Sequence, residues 1–144
     1  MKTLKDLSER EYKSLLEFPA YISLLAANSD GGLDKAEEFS AIEFEHIKTY
    51  SCDPSLVEFF KEVDKTFVST IENIHKALPL GKANRDVVIK SKLSDLEKIL
   101  MKLGPEYASI MHHSMESFKE HVSRAHHNLV IDFIFPIPIK GLSY

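Results

Sequence analysis

Three features of this sequence predict an all-α fold. Apolar residues recur at three- and four-residue spacing through most of the chain, as the buried face of an α-helix requires. Prolines and glycines fall between those periodic segments and punctuate them. Strand-like alternation is absent outside the C-terminal tail. The expected architecture is an irregular bundle of five or six helices forming one domain over residues 1–144, with residues 131–144 as an extended, proline-containing arm. A chain of this length buries roughly two thirds of its unfolded surface, so its core needs neither disulfide nor metal.

Taken in order, Leu7-Ser8-Glu9-Arg10-Glu11 reads as a helix start, followed by Tyr12, Leu15 and Leu16 at helical spacing. Pro19 either kinks the chain or opens a new helix at its first position, because it lacks the N–H that a helix interior needs. The segment it opens, through Tyr21, Ile22, Leu24 and Leu25 to Ala27, is apolar nearly all round and is expected to be central and buried. Asn28-Ser29-Asp30-Gly31-Gly32 ends it. Asp34 as N-cap, with Glu37 three residues on, predicts a capping box and a helix reaching about Tyr50.

Asp53 and Pro54 form the next helix start, with a stripe of Leu56, Phe60, Val63, Phe67, Ile71, Ile74 and Leu78 before Pro79 and Gly81 close it. Asn84 is read as the cap of a helix striped by Ile89, Leu93, Leu96, Leu100 and Leu103. Gly104-Pro105 separates it from the last helix, expected to reach about Leu129, with Tyr107, Met111, Met115, Phe118, Val122, Ala125 and Leu129 on one side. In the tail, Pro136 and Pro138 forbid helix and suit an extended run. That run carries Phe133 to Ile139, apolar residues expected either to cross the bundle's own surface or to contact a protein partner or a second copy.

Composition narrows the function classes. Twenty-two acidic residues outweigh 18 basic ones, for a formal charge of −4, and no Lys/Arg block occurs, so nucleic acid is not expected. The single cysteine, Cys52, allows no internal disulfide framework, suits a reducing compartment, and has no local base to make it a nucleophile. The first residues lack the apolar core of a secretory signal, and no window approaches the ~18 apolar residues of a membrane span. A cytoplasmic protein is expected.

The residues that could carry chemistry cluster around the glycine turn. Glu43 and His46, at i and i+3, fall inside the apolar stripe when the helix is phased on Ala36, Phe39, Ile42, Ile47 and Tyr50. A core-facing carboxylate costs several kcal/mol unless it is paired, protonated or bound to a cation. Glu43 and His46 are therefore either a satisfied structural pair or metal ligands. A second Glu-x-x-His, Glu72 and His75, lies on the following helix, and two such pairs with carboxylates from two more helices are the ligand pattern of a di-iron carboxylate bundle. Its own projection, however, puts Glu72 toward the polar face and His75 at the stripe's edge, which predicts solvated side chains. Five histidines lie on the last helix. His113, Glu116, Glu120 and His127 share the face opposite the apolar stripe, and His126 lies nearer the core edge. Asn28, Asp30, Gly31, Asp34 and Glu37 look like the second half of a calcium loop, but Ala26 stands where the first aspartate belongs.

Leu24-Leu25-Ala26-Ala27, then Asp30-Gly31, Leu33-Asp34 and Glu37-Glu38, resemble the signature of the tellurite-resistance TerB-like domains. The resemblance covers residues 24–50. It implies a compact all-α bundle of two related halves, with acidic residues at the inter-helix turn chelating metal in a stress-response setting. Carried onto this chain, the implied ligands are Asp30, Asp34 and Glu37, with Glu38 as a fourth. The corresponding second-half turn, Pro79 to Asp86, is as basic as it is acidic and departs from the pattern. The expected function is a non-enzymatic, metal-associated stress protein with a divalent ion at Asp30, Asp34, Glu37, Glu43 and His46. The alternatives are an ion-free interaction module using the arm, and a di-iron oxidase.

Overall fold

The computed structural model describes residues 4–26, 38, 40–46 and 52–125 of the chain, which form helices joined by short turns with no strand among them. The glycine turn with Asp30, Asp34 and Glu37, and the arm from Phe133 to Ile139, lie outside the described residues. After a 3-10 turn at Leu4–Asp6 come α1 (Glu9–Leu15), α2 (Phe18–Ala26), α3 (helical over residues 40–46), α4 (Val57–Ala77), α5 (Lys82–Met101) and α6 (Pro105–Ala125).

Local chemistry sets most of these boundaries. Ser8 and Glu11 form a reciprocal capping box, each side chain bonding the other's backbone N–H at 3.1 Å. Glu11 also ion-pairs with Lys102, which ties α1 to the α5–α6 turn. That pairing, with the backbone N–H of Ser8, holds the Glu11 carboxyl below its ordinary range. Asp53 accepts from the Ser55 N–H at 2.9 Å and from its hydroxyl at 2.7 Å, capping a 3-10 turn at Pro54–Leu56 that leads into α4. Gly104, at φ 95°, turns the chain before Pro105 opens α6. α5 starts earlier than Asn84: Gly81, at φ 89°, makes the corner, and Lys82 and Asp86 pair across the first turn at 2.9 Å.

The nine residues of α2 are all buried, and α2 packs against α4, α5 and α6, in agreement with its uniformly apolar sequence. The Ser23 hydroxyl is satisfied locally, its Oγ donating to the Pro19 carbonyl at 2.8 Å. Around α2, the predicted stripes of α4 (Leu56, Phe60, Val63, Phe67, Ile71, Ile74), α5 (Ile89, Leu93, Leu96, Leu100, then Leu103) and α6 (Tyr107, Met111, Met115, Phe118, Val122) are buried in one core. Phe118 is its aromatic centre. The ring meets Phe44 edge-on at 4.9 Å and 88°, stacks over Phe60 at 6.0 Å, and lies 6.4 Å from Phe67. One side chain therefore joins α3, α4 and α6.

Truncating that ring removes three aromatic partners at once and leaves a cavity between helices. Phe118→Ala is expected to cost about 3–5 kcal/mol in urea denaturation. A loss under about 1 kcal/mol would mean that the rings do not pack as a unit.

Candidate functional site

The structure corrects the phase of α3. Among its described residues Ala41 and Glu45, four apart, are buried, while Glu43 and His46 are exposed. A one-residue shift of phase rotates a helix face by about 100°, enough to exchange the inward and outward ionisable residues. Glu43 and His46 are therefore not on a core-facing stripe, and the carboxylate that α3 buries is that of Glu45. His46 is held from the neighbouring helix: its Nδ1 lies 3.4 Å from Asp64 Oδ1 of α4, with the side chains 63% and 34% exposed. On the same short helix, Phe44 stacks on the His121 ring of α6 at 4.4 Å and 22°. α3 is thus anchored to α6 by Phe44 and to α4 by His46.

A second imidazole–carboxylate pair lies inside the bundle. His112 Nε2 of α6 and Glu97 Oε1 of α5 are joined by a 2.5 Å hydrogen bond, with both side chains removed from water. The other carboxylate oxygen of Glu97 is buried without a hydrogen-bond partner. Arg85, at the start of α5, is also buried. Sequence periodicity had assigned none of these three a role, although the signal was there. Arg85 lies four residues before Ile89, Glu97 four after Leu93, and His112 four after Ala108, so each continues a buried row.

The remaining candidates are peripheral. Glu72 is exposed and His75 half-buried, as their helical projection predicts. On α6, His113 and Glu120 are exposed, and Glu116 pairs with Lys119 at 2.7 Å; His126 and His127 lie outside the described residues. Burial pushes the half-buried Glu17 carboxyl up, against an opposing pull from Lys92. Burial also raises the Tyr107 hydroxyl well above its usual range; that hydroxyl has no hydrogen-bond partner.

Chemically the two pairs differ in access. The inner one is sealed in the core and can hold two helices together. The outer one faces water and can meet a solute. Among the described residues, no group of three or more His, Cys, Asp or Glu side chains converges as a metal cage does. No described helix is long and apolar enough to cross a membrane. Among the described residues, fold and site together define an all-α bundle with a buried imidazole–carboxylate pair, Glu97–His112, and an exposed one, His46–Asp64. No family model, no curated protein and no solved structure matches the chain.

Removing one member of the buried pair strands the other. His112→Leu is expected to cost about 3–5 kcal/mol, and adding Glu97→Met to it recovers most of the loss. Denaturation midpoints of the two singles and the double check this, and independent, additive losses would rule it out.

Glu17 yields a pH prediction. Its folded pKa is raised, so its contribution to stability is fully present below the unfolded carboxyl pKa and is lost as pH rises through the folded value. Glu17→Gln therefore raises the melting temperature near pH 7 and leaves it unchanged below about pH 4. An equal effect at both pH values would contradict the assignment.

Proposed function

We propose that this protein is a non-enzymatic, metal-associated protein of TerB-like character, working in a reducing, cytoplasmic setting as part of a stress response. The observation that carries the reading is the outer pair, in which Asp64 Oδ1 approaches Nδ1 of an exposed histidine at 3.4 Å. A carboxylate on one ring nitrogen is the usual means of orienting an imidazole that ligates through the other. Glu43 precedes His46 by three residues on the same helix and is exposed like it. Asp30, Asp34 and Glu37 precede both in the chain and would complete a carboxylate-rich donor set. One imidazole among several carboxylates suits a divalent cation such as Zn²⁺ or Mn²⁺. No step of catalysis is assigned.

Isothermal titration of the full chain with Zn²⁺, Mn²⁺ and Ca²⁺ in turn tests the proposal. One site is expected, weakened roughly 10–100-fold by Asp64→Asn and lost in Asp30→Ala combined with Asp34→Ala. Binding no tighter than millimolar, or equal affinity in all three proteins, would end it.

A further inference from the structure

We infer that the apolar C-terminal arm, Phe133 to Ile139, docks on this chain's own α4–α5 corner, over Leu80, Val87 and Val88. These three carry an exposed apolar surface at one end of the bundle, at 89%, 69% and 37% of full exposure. Leu80 immediately precedes the Gly81 corner, and Val87 and Val88 lie in the second turn of α5 that follows it. Gly81 has open space where a side chain would stand, which leaves the corner accessible to another backbone. Lys82 and Asp86 neutralise each other beside it, so a segment lying there meets no uncompensated charge from that pair. The arm matches this surface: from Phe133 to Ile139 it has no charged residue, and its prolines suit an extended run laid across a helix.

The arm of the same chain is a better occupant than a second copy because of concentration. Residues 126–132 separate the end of α6 from Phe133 and span on the order of 20 Å when extended, against a radius of gyration of about 15 Å for a domain of this length. A tether of that reach presents the arm at a millimolar-scale effective concentration, well above that of a second molecule in a dilute sample. The inference is independent of the metal reading, since none of the proposed ligands takes part.

The test pairs Val87→Cys with Ile137→Cys in a Cys52→Ser background under mild oxidation. A cross-link within one chain, with a yield unchanged on dilution, is expected. A cross-link joining two chains, fading on dilution, assigns the patch to a second copy and overturns the inference; absence of any cross-link overturns it too. In the otherwise native chain, Val87→Glu is expected to speed chymotrypsin cleavage at Phe133 severalfold while the bundle's melting temperature holds. Unchanged cleavage would count against the docking even if a cross-link formed.

Discussion

The fold depends on one constraint: α2 has no side that can face water. Each of its nine residues is buried, so a helix too short to be stable alone must be enclosed by others. α4, α5 and α6 supply the enclosure, each giving one apolar stripe to the core and leaving most of its charged residues outside. The constraint also explains the polar details of α2. Pro19 near its start has no N–H to leave unsatisfied, and the Ser23 hydroxyl turns back to the Pro19 carbonyl instead of seeking a partner across the core. A helix that must be enclosed cannot carry an exposed functional group, so chemistry moves to the elements around it.

Those elements hold the same two chemical groups in two settings, and the difference in solvent decides what each can do. Glu97 and His112 are both desolvated, and separating them would leave a charge or an unpaired polar group in hydrocarbon. Their pairing therefore specifies how α5 returns to α6, and it is inaccessible to a solute. His46 and Asp64 lose little hydration on meeting, and an exposed pair of this kind contributes about 0–1 kcal/mol. A contact that weak can be altered at small cost to the fold. This asymmetry is why the outer pair, though worth less to stability, is the stronger functional candidate.

How much of this could be read beforehand followed from how long and how pure each periodic segment was. The stripe of α4 runs unbroken from Leu56 to Ile74, and it was legible residue by residue. In α3 only a few turns were available, and Ile47 and Tyr50 pulled the phase round until Glu43 and His46 stood where Glu45 belongs. Arg85, Glu97 and His112 were illegible for another reason. Periodicity counts apolar residues, so a polar residue in a buried row looks like an interruption, although its position in the row is the signal. The start of α5 was misplaced because Asn84 is a good capping residue by type, whereas the corner is made by the positive φ of Gly81. The acidic bend and the apolar arm, both legible as motifs, lie outside the described residues, so for them sequence remains the source of the reading.

The position of α3 gives the outer pair its mechanical meaning. Phe44 projects from this helix onto Phe118 and His121 of α6, and Phe118 in turn packs on Phe60 and Phe67 of α4. Two residues on, His46 reaches Asp64, and Asp64 lies between Phe60 and Phe67 along α4. The exposed pair therefore fastens α3 to α4, and the Phe44 ring fastens it to α6 at the level where Phe118 packs on Phe60 and Phe67. A cation taken up on the other nitrogen of His46 would leave both fastenings in place. The outer pair thus stands at the surface, beside the core and not part of it.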